Sequence, residues 1–403
     1  MSPGRLALVE PERVARARAH PRAGPRILFL SGGSALRDLS RVITRYTHQS
    51  THLITPFDSG GSSASLRQAF GMLSVGDLRN RLLALADDGS SRAAKARACF
   101  GHRFDREGPR QAASEELRGL ITGRDPRIAA LPADQREFGQ ETLGVFSRAM
   151  PANFDLRGAS VGNLALTGAY LPNRDIHHAL GRFGEALGVR GDVLPTSEDD
   201  LHLAARLVDG TTVVGQHRLT AKQEPPLPSP IEELQLVASL EGGPALRPPA
   251  SSAAVDRIRQ ADLICLPMGS FYSSLLCNLL PAGIGSAIAN ARCPKVYVPS
   301  TGHDPEVAGV GPAQGTARLL AALRADAGET TPTEHLLHRV LIDPEPGLYN
   351  AQTDLTSLDD LGVECNEIPL VAPGDAKRVD AQRLTEVLVS LARPRPPERK
   401  QPD

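Results

Sequence analysis

Tryptophan is absent from the 403 residues, and aromatic side chains make up only 4% of them. The stacking platforms on which single-stranded nucleic acids lie therefore have little to be built from. No excess of either charge is present: 45 Lys and Arg face 46 Asp and Glu, a net charge of -1. Such a balance gives no electrostatic reason to expect nucleic acid or an anionic membrane as the main partner. The cysteines (Cys99, Cys265, Cys277, Cys293 and Cys365) are odd in number and scattered. Without a Cys-x-x-Cys pair they argue against a structural zinc site and a secreted disulfide framework, and they read as thiols in a reducing compartment. Long apolar runs are also missing. The Arg- and Pro-rich N-terminus has no apolar core for a signal peptide, and Leu263 to Ala289 is broken by Pro267, Gly269, Pro281 and Gly283. The expectation is a soluble, cytoplasmic protein with no nucleic-acid or membrane partner.

What is present alternates between two periods. Ile27 to Leu30 is a continuous apolar run, as in a strand buried on both faces. Leu36, Leu39, Val42, Ile43 and Tyr46 then recur at helical spacing, and Leu53 and Ile54 begin a second strand. Strand, helix and strand within about thirty residues form a βαβ unit with parallel strands. Residues 88–140 read as a helical insertion, and Ser160 to Leu171 as a buried small-residue helix. From 192 to 240 short alternating runs flank Asp209-Gly210, a hairpin signal, and predict a small antiparallel extension. The parallel pattern returns with strands at Leu263 to Leu266, Lys295 to Val298 and Arg339 to Ile342, and a final helix at Asp380 to Leu391. The expected fold is α/β: a Rossmann-like, mostly parallel sheet with helices on both faces, spanning 25–392. Residues 1–24 are expected as a flexible arm and 393–403 as a disordered tail.

In an open parallel sheet, ligands bind beyond the carboxyl ends of the strands. Three glycine- and serine-bearing loops sit there: Ser31 to Ser34, Asp58 to Ser63, and Gly269 to Ser274. Glycines permit close backbone approach, and a following helix N-terminus favours anions. One such loop more often serves a tight turn or helix cap; three at the same end favour phosphate binding. SGGSAL is not G-x-G-x-x-G and no Walker lysine motif occurs, which disfavours an ordinary dehydrogenase or P-loop ATPase. Asp58 and Asp77 are the carboxylates suited to magnesium, which takes one or two of them plus substrate phosphates. Asp77 serves equally well as a helix N-cap. Arg79 can fork onto phosphate or pair on a solvated face, and Asn163 needs partners in its apolar helix. Glu198, Asp199, Asp200 and His202 read as a solvated turn and strand start, and His177-His178 have no metal-ligand spacing.

Taken in order, SGGSAL, FDSGGSSASLR, GMLSVGDLRN, VGNLAL, LPTSEDDLHL and GSFYSSLLCNLLP resemble the CofD and YvcK superfamily, closest to the CofD-like proteins associated with the GAK system. The resemblance implies a modified Rossmann-like fold that often forms homodimers. It implies one of two activities. The first is transfer of a phospholactyl-type group from a nucleoside diphosphate-linked donor to an acceptor hydroxyl, with Mg2+, as in a 2-phospho-L-lactate transferase. The second is non-catalytic, regulatory binding of a nucleotide sugar. Carried over by motif, Gly32, Gly33 and Ser34 would meet phosphate, with Gly60, Gly61, Ser62 and Ser63 on the neighbouring face. Asp58 and Asp77 would hold the metal and serve catalysis, and Arg79, Asn80 and Asn163 would complete the site. Gly269, Ser270 and Tyr272 would close it. The sequence departs from the pattern in three places: Ser34 and Ala35 end the first motif, Ser59 replaces the second of two paired aspartates, and Pro267-Met268 precede Gly269.

Overall fold

The computed structural model describes residues 8–394, apart from 33–34, 88, 221–226, 303, 308, 350, 352–354 and 373–374. Gly33 and Ser34, two expected phosphate contacts, and the expected tail beyond 394 lie outside the described residues.

The first apolar run forms β1 (Ile27–Ser31), buried throughout. Its side chains alternate between two cores: Ile27 and Phe29 join one, Leu28 and Leu30 the other. A strand covered on both faces must be apolar at every position, which is why no alternation marks it in the sequence. β2 (Thr51–Ile54) and β3 (Asp192–Pro195) follow on one side, each pairing in parallel with its predecessor. The antiparallel extension is β4 (His202–Leu207) flanked by β5 (Thr212–Val214) and β6 (Ile231–Val237). The main sheet then resumes through β7 (Leu263–Leu266), β8 (Lys295–Tyr297), β9 (Arg339–Ile342) and β10 (Glu364–Glu367). β11 (Val371–Ala372) and β12 (Asp375–Val379) make a separate hairpin.

The seven-stranded sheet runs β10-β9-β8-β7-β1-β2-β3 and all its pairings are parallel. Strand order reverses between β1 and β7, so the loops leaving these two strands part to opposite faces and open a crevice at their carboxyl ends. The expected ligand site therefore falls at the topological switch point.

Two boundaries differ from expectation. Residues 192–195 are not part of the antiparallel extension; they form the edge strand β3, anchored by Asp192 N–H on Ser50 O at 2.8 Å. As an edge strand it carries Asp and Pro, which hide a buried-strand signal. The N-terminal segment, expected as a loose arm, is a helix at Pro11–Ala19. It docks on the last helix (Ala381–Leu391): Glu10 N–H donates to Ser390 Oγ at 2.9 Å, and Arg13 donates to the carbonyls of Ser390 and Ala392. Arginine thus satisfies carbonyls a helix C-terminus leaves open, a use that composition alone does not reveal.

Residues 88–140 are helical as expected, with helices at Ser91–Phe100, Arg110–Thr122 and Pro126–Ala129, and a fourth running on to Ala149. They pack around Val161–Tyr170, buried on every side up to Ala169. Gly168 makes this possible: a Cβ there would lie 1.9 Å from the Thr142 carbonyl oxygen. Phe100, Phe138 and Phe183 interlock beside it with ring centroids 5.3 to 6.1 Å apart.

Candidate functional site

β2 continues through Thr55 and Phe57 to Asp58, at the rim of the crevice. Asp58 Oδ1 accepts the Gly60 N–H at 3.0 Å, and this turn starts the helix Gly61–Phe70. Gly61 stands at φ +53°, which glycine adopts without strain. Arg67, on that helix, ties the loop to the antiparallel extension. Its guanidinium donates to Asp200 Oδ1 at 2.8 Å, to the carbonyls of Asp58 (3.1 Å) and Leu201 (2.7 Å), and meets His202 Nε2 at 3.3 Å. Asp200 and His202 are therefore framework. The remaining members of the acidic run are likewise engaged, Glu198 with His177 at 2.9 Å and Asp199 with Ser197 at 2.9 Å.

The helix Gly76–Leu85 enters against this loop; a Cβ on Gly76 would lie 2.5 Å from Ser63 Oγ and 3.9 Å from Asp58 Oδ2. Val75 occupies the N-cap position and Asp77 the first turn, so Asp77 does not serve as the cap. Its carboxylate instead acts on Asp58. Burial, and next the Asp77 charge, push the Asp58 carboxyl up to about 6, against the pull of the Gly60 N–H, the Ser63 hydroxyl and Arg67.

Arg79 lies on the inward face of the same helix and is buried, 4% exposed. Its Nε donates to Asn163 Oδ1 at 2.9 Å, and Asn163 Nδ2 donates to Ser62 Oγ at 2.9 Å. Arg103 reaches the same Ser62 oxygen at 3.4 Å. Arg79 Nη2 is buried without a hydrogen-bond partner among the described residues. Burial, then the nearby Arg103, lower its pKa to about 9, which still leaves it charged at neutral pH. A buried cation with an unused donor is costly unless an anion meets it. Gly162 makes room beneath it, since a Cβ there would lie 3.0 Å from Arg79 Cδ and 2.4 Å from Phe100 O. Asn80, next along the helix, is partly buried.

Gly32 wedges between the other two loops: a Cβ there would lie 2.9 Å from Thr55 Cγ2 and 3.3 Å from Ser274. Gly269, at φ +153°, stands beside the first loop, where a Cβ would lie 3.8 Å from that of Ala35. Ser270 is partly buried next to it. Beyond Ser270 the third loop departs from expectation. The N–H of Phe271 donates to Asp304 Oδ2, and those of Tyr272 and Ser273 to Glu306 Oε2, each at 2.9 Å. The chain's own carboxylates thus occupy the donors that a phosphate would need. Burial, then Asp304, push Glu306 up to about 7. The Tyr272 hydroxyl donates to Ile231 O at 3.2 Å and receives Arg318, which directs the ring to the antiparallel extension and not to the crevice.

The extension contributes a residue that sequence reasoning missed. His217, on the short helix Gln216–Leu219, lies over the second loop with Nδ1 3.1 Å from Ser59 Oγ. Its neighbour Gln216 donates to Ser273 O at 2.7 Å, tying this helix to the third loop as well. No local signal marks His217; only the fold brings it across 158 residues to Ser59.

Among the described residues no group of three or more His, Cys, Asp or Glu could hold a metal ion. Two carboxylates completed by ligand phosphates nevertheless fit magnesium, and the Asp77 charge that raises Asp58 is the repulsion such a cation relieves.

The model of the family described as 2-phospho-L-lactate transferase CofD matches residues 27–369. The chain belongs to the CofD family. Within the wider superfamily it is 31% identical over 275 residues to a putative gluconeogenesis factor of Nostoc sp., covering 68% of this chain and 47% of that one. A putative gluconeogenesis factor of Thermoanaerobacterium thermosulfurigenes is 30% identical over 275 residues (68% and 67% of the two chains). The gluconeogenesis factor of Bacillus subtilis is 28% identical over 286 residues (68% and 67%). The chain thus spans about half the length of the Nostoc relative. A solved protein of the UPF0052 family from Bacillus halodurans superposes with a TM-score of 0.65 at 24% identity, covering 90% of this CofD-family chain and 99% of its own. This likeness supports the fold. No helix among the described residues is long and apolar enough to cross a membrane.

Proposed function

We propose that this CofD-family protein binds a nucleoside diphosphate-linked small molecule at the switch-point crevice and transfers its phospho-organic-acid group, of phospholactyl type, to an acceptor hydroxyl. The observation that carries the reading is buried Arg79, oriented by Asn163 and with Nη2 unpartnered among the described residues, beside the coupled carboxyls of Asp58 and Asp77. A phosphate accepting from Nη2, with Arg103 and Ser62 at the mouth, satisfies that donor with a charge-assisted bond. The acceptor oxygen attacks phosphorus, the bond to the departing nucleoside monophosphate breaks, and the guanidinium stabilises the charge spread over the phosphoryl oxygens. Asp58 and Asp77 would hold a magnesium ion, whose charge neutralises the diphosphate and steadies the leaving group. Positioning and electrostatics therefore supply most of the acceleration.

A second reading is a regulatory binder of a nucleotide sugar that performs no transfer. Two observations favour it: relatives that cover most of this chain are named gluconeogenesis factors, and Ser59 replaces a carboxylate at the expected metal site. One experiment separates the two. Guanosine- and uridine-diphosphate-linked lactate and UDP-sugars are added to the purified protein, with and without Mg2+ and a deazaflavin alcohol, and both thermal shift and nucleoside monophosphate release are followed. Shift with release supports transfer, shift without release supports the binder, and the absence of both removes each.

A further inference from the structure

We propose that His217 is the general base of the site, taking the proton of the attacking acceptor hydroxyl, and that Ser59 positions its ring; this rests on the transfer reading above. The geometry is built for an imidazole at this place. Gly215, at φ +105°, precedes the helix that carries it. A Cβ on Gly215 would lie 2.8 Å from His217 Cε1, 3.1 Å from Nδ1 and 3.2 Å from Ser59 Oγ. On the other side, a Cβ on Gly60 would lie 3.1 Å from His217 Cβ and 3.4 Å from Asp58 Oδ1. Gly215 thus leaves room for the ring, and Gly60, close to both His217 Cβ and Asp58, leaves room for its stem. Gln216 and the Thr220 hydroxyl, which donates to His217 O at 3.1 Å, hold the supporting turn.

The Ser59 hydroxyl can accept from Nδ1–H or donate to Nδ1, and the base role uses the first arrangement, which leaves the lone pair of Nε2 to accept a proton. In the transfer step the acceptor O–H bond breaks toward Nε2 as the new O–P bond forms. The nucleoside monophosphate leaves with the electron pair of the broken P–O bond, and the imidazolium returns its proton to solvent. The Ser59 hydroxyl then has a specific use: accepting from Nδ1, it holds the ring in place for the transfer.

Single-turnover release of nucleoside monophosphate, together with donor binding, is compared for wild type, His217→Gln, His217→Ala and Ser59→Ala. The expected result is a fall of about 100-fold or more in rate for both His217 variants, with the donor Kd unchanged. Added imidazole should partly restore His217→Ala, a rescue that a purely structural role would not show. Ser59→Ala should lower kcat and leave KM unaltered. Wild-type release with His217→Gln within threefold of it would overturn the role of His217 alone. Donor binding without release in the wild type would instead overturn the transfer reading, and the base with it.

Discussion

The guanidinium of Arg79 is held by the side-chain amide of Asn163, 84 residues further along the chain, with Nε donating to Oδ1 at 2.9 Å. This contact joins the helix Gly76–Leu85 to the buried helix Val161–Tyr170. It leaves Nη2 as a buried donor with no described partner.

Replacing Arg79 by Met removes that donor while keeping much of the stem's packing. Ligand binding should fall at least tenfold, because a charge-assisted bond to phosphate is lost. The unliganded protein should melt close to wild type, because removing a desolvated charge offsets the loss of the donor to Asn163 Oδ1. Titration calorimetry with the nucleotide and a melting curve without it check both parts.

Asp58 has a carboxyl held at about 6, above the ordinary 3.8, chiefly by burial and then by Asp77. A carboxyl whose folded pKa is raised binds more protons in the folded state than in the unfolded one between those values. Its contribution to stability therefore declines as pH rises from about 4 to about 6, by on the order of 3 kcal/mol. Asp58→Asn should be more stable than wild type at pH 8, with the gap closing below pH 4. Comparing the two proteins by denaturant melts at each pH cancels the similar term from Glu306.

Asp77→Asn should abolish transfer while largely sparing the fold, since Asp77 is not the cap of its helix. Removing its charge also removes the repulsion on Asp58, so the stability gap described above should narrow in this background. An unaltered rate in Asp77→Asn would refute its assigned role.

Glu306→Ala strands the N–H groups of Tyr272 and Ser273, both buried. Two orphaned donors and the vacated space should cost about 2–5 kcal/mol, seen as a lower denaturation midpoint. Gly168→Ala should be at least as damaging by a different route, because its Cβ would meet the backbone of Thr142 and push the two helices apart.

Much of the fold was legible in the sequence because fully buried strands announce themselves: β1, β7 and β9 are apolar runs, and Asp209-Gly210 marks the β4–β5 hairpin. The edges were not. β3 and β10 sit at the two margins of the sheet, where Asp192, Glu364 and Glu367 face solvent and mask the strand pattern. At the site, Asp58, Ser63 and Asn163 were expected near one another from their motifs, whereas the close approach of Gly76 to them emerges only in the fold. The burial of Arg79 was not settled, since one arginine on a helix reads equally as a solvated charge. Asp304 and Glu306 lie 33 and 34 residues from the N–H groups of Phe271 and Tyr272 that they occupy, a pairing with no local signature. His217 was invisible for the same reason: the short helix carrying it had no marked relation to the second loop until the chain folded.

The most direct test of the central claim is a thermal-shift titration of GDP, UDP and their lactyl- or sugar-linked forms against wild type and Arg79→Met, with Mg2+ present. At a concentration of about 100 times Kd, binding should add about 2.7 kcal/mol to the stability of the wild type. The account predicts that shift for at least one diphosphate-linked ligand in the wild type and its loss in Arg79→Met. A flat wild-type response across the series, or an equal shift in both proteins, would contradict phosphate binding at Arg79.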